Sequence, residues 1–160
     1  AGGALTHENL RRLARETSLQ EERMRLHVAM CRVKDPILLQ RTLDMTLSDE
    51  VRVQDTVGLL GVIAANPLGR RLTWNFIKDH WEELDRRYGS GGFCLMRLVE
   101  TTGHFTSLDD REDVAAFFQA HPIPAATMAL ERSLERIGVN VRWLQTNREE
   151  LAEWLKAFDV

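Results

Sequence analysis

The 160-residue sequence has only two cysteines, four prolines and one tyrosine, and no surplus of basic charge. Each shortage excludes something. Cys31 and Cys94 are too few for a disulfide scaffold and both stand inside apolar helical patterns, so they read as buried free thiols of a reducing, cytoplasmic compartment. The 24 acidic and 21 basic residues are interspersed for a formal charge of -3, which leaves no basic stretch to displace counterions from DNA or RNA. Nucleic-acid binding is not expected. The longest apolar run, Val57 to Ala65, is far short of the ~20 residues that cross a bilayer, so no membrane span is expected either. No signal peptide opens the chain, and its start at Ala1-Gly2-Gly3 without methionine is expected of an excised fragment.

Catalytic signatures are also missing. There is no G-x-S-x-G elbow, no phosphate-cradling glycine loop and no C-x-x-C pair. His7-Glu8 opens like the H-E-x-x-H zinc helix, in which two histidines one turn apart face the metal, but Arg11 stands where the second histidine belongs. His80 and Glu83 offer two ligands three residues apart without an evident third, and zinc needs three protein ligands for catalysis or four for structure. No catalytic or metal-ligating residue is therefore assigned.

What the sequence does contain is helix. With 44% hydrophobic and 28% charged residues it has the profile of a globular chain, long enough to bury roughly 68–70% of its unfolded surface without a disulfide or metal. Ser18 with Glu21 and Thr146 with Glu149 are S/T-x-x-E capping boxes, while Asp35-Pro36 and Asn66-Pro67 place a cap residue before an N1 proline. Apolar residues recur at three and four between these signals, as in Leu130, Leu134, Ile137, Val141 and Leu144, and nothing alternates as a strand would. The pattern predicts about nine helices, over 6–16, 19–33, 36–46, 53–65, 67–88, 92–103, 109–120, 125–145 and 147–157. Short loops make neighbours antiparallel. The expected fold is all-α: one helical-repeat domain over 1–160, its hairpins stacked as a HEAT/armadillo-like superhelix.

Several local features bear on function. Gly58, Gly61 and Ala65 form a small-residue stripe that would let another helix approach closely, at about 1 kcal/mol of helix propensity per glycine. The Gly89-Ser90-Gly91-Gly92 turn is expected to be flexible and His121-Pro122-Ile123-Pro124 stiff, because each proline fixes its φ and restricts the residue before it. Trp74, Ile77, Trp81, Leu84 and Tyr88, widened by Leu72 and Phe76, make an apolar stripe whose expected role is core. Arg70 and Arg71 lie in the first turn of that helix, against its dipole, and Arg52 precedes another helix. These three arginines are the candidate peptide or interdomain contacts; solvation or intramolecular pairing is the plain alternative.

Four blocks, "SDEVRVQDTVG", "GRRLTWNFIKDHWEELDRRYG", "VAAFFQAHPIPA" and "LERIGVNVRWLQTNREELAEWL", occur in order between about Ser48 and Leu155. Together they resemble the C-terminal domain of puromycin-sensitive-aminopeptidase-like enzymes, zinc aminopeptidases of the gluzincin family. The first third matches only in helical character, Phe93 to Asp113 follows the family loosely, and His80 stands where relatives often have Asn. The resemblance implies a multidomain parent with a HEAT-like C-terminal superhelix, and zinc as the parent's cofactor on an H-E-x-x-H helix of an earlier domain. It also implies a G-x-M-E-N loop there for the substrate's free amino terminus. Neither motif occurs in this sequence. The partners so implied are the preceding catalytic domain and a peptide substrate, with this piece enclosing the substrate chamber and moving in domain closure. The competing expectation, from the repeat pattern alone, is a free-standing scaffold that binds a protein segment.

Overall fold

The computed structural model describes residues 2–89 and 92–157. Ser90 and Gly91, the middle of the expected flexible turn, lie outside them. Among the described residues nine α-helices occur and no strand: α1 (Gly2–Glu16), α2 (Gln20–Met30), α3 (Pro36–Thr46), α4 (Val53–Ala65), α5 (Arg70–Asp79), α6 (Trp81–Tyr88), α7 (Phe93–Glu100), α8 (Leu108–Ala120) and α9 (Thr127–Ala157). Short 3-10 turns follow α7 (Thr101–His104) and precede α9 (Pro124–Ala126). No described helix is long and apolar enough to cross a membrane.

Contacts between alternate helices organise the chain. α2 touches α4, α4 touches α7 and α7 touches α9, while on the other side α3 touches α5 and the aromatic rings of α5 and α6 meet those of α8. Two layers result, with α4 at the hub, since it also packs on α3, α5 and the Thr101–His104 turn. This arrangement is compatible with stacked hairpins. Its core runs along α4 through Leu59, Leu60 and Ile63 and into Ile77, Leu84, Leu98 and Ile137 of other helices, all at most 1% exposed.

The aromatic stripe of α5 and α6 is core, as its spacing predicts. Trp74, Ile77, Trp81, Leu84 and Tyr88 are buried, and both indoles meet Phe117 and Phe118 of α8 at centroid distances of 5.2–5.8 Å, mostly edge to face. Trp74 Nε1 also donates to the Asp113 carboxylate at 2.7 Å, and Lys78 Nζ donates to the same oxygen at 2.8 Å. Burial opposes ionisation of Asp113, but these donors and the charges of Lys78 and Arg71 outweigh it and hold the carboxyl below its ordinary pKa. The segment expected as one helix over 67–88 is divided at His80 (φ -114°, ψ 21°), whose Nδ1 is 3.0 Å from the Phe76 carbonyl oxygen.

Several expected signals play other parts. Asp35 caps α3 through Ile37 N and Leu38 N as expected. Asn66 does not cap α5: its Oδ1 accepts from Leu68 N, and its Nδ2 donates to the carbonyls of Val33 (2.9 Å) and Cys31 (3.4 Å), tying the turn before α3 to the turn after α4. α5 begins only at Arg70, after Gly69, where a Cβ would collide with the Ile63 carbonyl. The Ser18–Glu21 box is not formed, for Leu19 is the N-cap of α2 and has no side-chain cap bond. The Thr146–Glu149 box is likewise passed over. α9 continues for 31 residues because no proline, glycine or buried turn interrupts it there, and Asn147 Nδ2 bonds back to the Trp143 carbonyl within the helix. Of the two thiols expected to be buried, Cys31 is buried and its pKa is pushed up to about 12 by burial, but Cys94 is half-buried.

α1 is held to the rest by packing on α2 and by two polar bridges. His7 Nε2 lies 2.8 Å from Thr42 Oγ1; since that hydroxyl donates to the Leu38 carbonyl, the imidazole is the donor. Burial is the main reason that His7 has a lowered pKa and stays neutral. Arg11 and Arg15 both grip Glu50, before α4, with two hydrogen bonds each at 2.5–3.0 Å. Those bonds lower the Glu50 pKa from 4.5 to about 2. A carboxylate with a depressed folded pKa adds stability that is complete above about pH 4.5 and is lost as the pH falls toward about 2. Acid titration of stability, followed by helical circular dichroism, is expected to lose about 1–3 kcal/mol from this source in that window. Glu50→Gln removes that part of the acid limb; an unchanged limb would show that the bridge adds nothing.

Candidate functional site

The layer α2–α4–α7–α9 carries a groove of about 1130 Å³. Its middle is α4, where Val57, Gly58, Gly61, Val62 and Ala65 line it. A Cβ built on Gly58 or Gly61 meets nothing within 4 Å. The close helix approach expected at this stripe therefore does not occur: α4's neighbours pack on its other faces, and the bare glycine backbone faces the groove. α7 contributes Phe93, Cys94 and Arg97, α9 contributes Arg132, Ser133 and Arg136, and the turn after α2 contributes Arg32 and Lys34.

The lining is strongly basic in a chain that is acidic overall. Five Lys and Arg side chains border the groove against one carboxylate, Glu100. None of the five makes an ion pair among the described residues; Arg97 lies 5.4 Å from the Phe93 ring centroid, and Arg132 and Arg136 face the same way one turn apart on α9. A like-charge pair at that spacing costs a few tenths of a kcal/mol (~0.2–0.5) in a helix. By contrast, several surface cations elsewhere are paired: Arg12 with Glu16, Arg86 and Arg87 with Glu83, and Arg11 and Arg15 with Glu50.

At one end of the groove His104 is half-buried, and burial first, then the charges of Arg70 and Arg136, hold its pKa below 6.5. The imidazole is therefore neutral at neutral pH, and Arg70 and Arg136 share one electrostatic neighbourhood. Arg70 itself has a buried Nε without a hydrogen-bond partner, and its own pKa is lowered by burial alone. A guanidinium held against a helix dipole without a counterion is costly unless an anion arrives.

The three arginines predicted as contacts do not come together. Arg52 is exposed and bonds Asp55 at 2.9 Å, one turn into α4. Arg71 pairs with Asp110 of α8, is 3.8 Å from Asp113, and lies 5.1 Å from the Phe105 ring centroid. Arg70 does not line the groove; its charge reaches His104 at one end of it. The groove cations Arg32, Lys34, Arg97, Arg132 and Arg136 were not identified from sequence, because they come from three separate segments. The one local signal was the Arg132/Arg136 spacing.

As for metal, no group of three or more His, Cys, Asp or Glu side chains converges among the described residues. His7 is bonded to Thr42, and Glu83 holds Arg86 and Arg87 rather than joining His80. These residues do not fit a zinc ion, and none is assigned to it.

Comparison with known proteins defines the class. Residues 1–138 match the family described as ERAP1-like C-terminal domain, and the chain belongs to that family. The match reaches back through the first third, where only helical character was expected to agree. More particularly, the chain is 32% identical over 145 residues to aminopeptidase M1 of Arabidopsis thaliana, covering 90% of this chain and 16% of that protein. It is 33% identical over 145 residues to aminopeptidase N of Mus musculus, covering 88% of this chain and 15% of the relative. Endoplasmic reticulum aminopeptidase 2 of Bos taurus is 30% identical over 137 residues, which cover 84% of this chain and 14% of that protein. The chain thus spans about a sixth of the length of the curated relatives it matches.

Open space at the α4 glycines has a measurable consequence. Gly58→Ala and Gly61→Ala are each expected to raise stability by about 0.5–1 kcal/mol, since alanine removes the helix penalty of glycine without meeting a neighbour. Chemical denaturation of the two variants checks this, and a loss of stability in either would show a packed rather than an open face.

Proposed function

We propose that this chain is the C-terminal helical-repeat domain of a zinc-dependent aminopeptidase that removes single residues from the amino termini of peptides. The observation that carries the reading is family membership with aminopeptidases among the relatives at 30–33% identity. In the parent, zinc on a preceding domain polarises the scissile carbonyl and its water. The part played here is enclosure. The two-layer array presents its groove toward the substrate chamber and contacts the preceding catalytic domain, and it moves as a body when the chamber opens and closes. The reading includes a cytoplasmic setting, which the two unpaired thiols, one of them held at a pKa of about 12 by burial, support.

Among the predicted contacts, Arg70 is the one whose surroundings support a role, as an anchor for an acidic group of the peptide or of the preceding domain. Its Nε is buried without a partner, whereas Arg52 and Arg71 already hold Asp55 and Asp110 and would have to exchange them. Arg70→Ala in the full-length protein is expected to shift peptide-length or sequence preference while stability stays within about 1 kcal/mol of wild type. Unchanged preference would remove Arg70 from the substrate path.

The whole reading is tested by comparing parent and piece. The full-length protein is expected to hydrolyse an aminoacyl reporter in a zinc-dependent manner, and the 160-residue chain to bind no stoichiometric zinc and to leave the reporter intact. One tightly held zinc per isolated chain, or a full-length protein inert toward every aminoacyl reporter, would overturn the assignment.

A further inference from the structure

Nine of the 21 Lys and Arg side chains pair with a carboxylate among the described residues. The groove gathers five that do not. Arg32, Lys34, Arg97, Arg132 and Arg136 gather around one cavity without an ion pair among the described residues, and the single carboxylate there, Glu100, is unpaired as well. Their mutual repulsion in a net acidic chain is relieved by an incoming anion, and a concave site of one sign concentrates such ligands and speeds their arrival.

The floor says which anion. Between the cations lie Val57, Gly58, Gly61, Val62 and Ala65, an apolar strip along α4 whose glycines leave the backbone bare. A compact phosphate would meet the guanidinium groups but has no use for a long apolar strip. An extended peptide does, because its alternate side chains point to opposite faces. The groove, about 1130 Å³, is also larger than the roughly 300–1,000 Å³ of small-molecule pockets.

We propose that this groove selects peptides by acidic side chains: an extended segment lies on the Gly58–Gly61 face of α4 while its Asp or Glu carboxylates are held by Arg97, Arg132 and Arg136. The proposal rests on the aminopeptidase reading for the source of the peptide, not for the binding itself. Guanidinium–carboxylate contacts supply orientation as well as attraction. Acidic residues away from the amino terminus then raise the affinity of a substrate for this domain.

The test uses the full-length protein and a fluorescent peptide with an acetylated amino terminus and an amidated carboxyl terminus, so that neither end can be recognised. Its residues alternate Glu or Asp with Val or Ala. Anisotropy is expected to show saturable binding that weakens with salt. The Gln/Asn counterpart should bind at least about tenfold more weakly, as should the acidic peptide to Arg132→Gln/Arg136→Gln. Gly61→Leu, whose side chain projects into open space, should lose binding without a fall in melting temperature. Equal binding of the acidic and amide peptides, no binding of either, or full binding by both variants overturns the proposal. So does tripolyphosphate that binds more tightly than the peptide and is indifferent to Gly61→Leu, which would make the groove a phosphate site. Reporter hydrolysis by the same protein is measured separately, so the aminopeptidase reading and the groove can fail apart.

Discussion

The groove depends on a contact made on the opposite side of the molecule. Trp74 and Trp81 wedge between α5–α6 and α8 against Phe117 and Phe118, and Asp113 receives the Trp74 indole together with Lys78. α8 packs in turn on α9, whose Arg132 and Arg136 form one wall of the groove, while α5 packs on α4, its floor. The aromatic clasp thus sets the spacing between floor and wall. Its polar half is as necessary as its rings, because a buried indole N–H without an acceptor would cost about 1–3 kcal/mol.

That clasp separates two uses of the same kinds of residue. Trp74, Arg71 and Lys78 lie within eight positions and look like one aromatic and basic binding motif. In the fold all three turn to α8, Arg71 to Asp110 and the other two to Asp113. Arg70, next in sequence, points elsewhere and has no such partner for its Nε. A helix turns about 100° per residue, so adjacent arginines face different neighbours, and only one of this pair is held by the carboxylates of α8.

The legibility of the sequence follows the range of the interactions. Asp35-Pro36, the α3 and α4 boundaries and the Trp74–Tyr88 stripe were readable because each depends on residues within one or two turns. The capping box at Thr146 was misleading because such residues also occur inside helices, and nothing in the tertiary structure required a start there; at Ser18 a helix does start, but with Leu19 as its N-cap and no side-chain cap bond. Asn66 misled for the opposite reason. Its side chain was claimed by Val33 and Cys31, carbonyls more than thirty positions away, which no local pattern reveals.

By itself, then, the sequence determined an all-α chain, where most of its helices lie, which face of each is apolar, and the family it belongs to, because these are set by near-neighbour spacing and by blocks of residues in order. Only the tertiary structure decided what the α4 glycines face and which cations meet. Gly58 and Gly61 read equally well as a helix-packing stripe or as an open floor until the positions of α7 and α9 are known. Arg32, Arg97 and Arg136 are scattered over more than a hundred residues of a chain with balanced charge. Their convergence is a property of how the layers stack, since a pattern of single-helix faces carries no record of which face meets which.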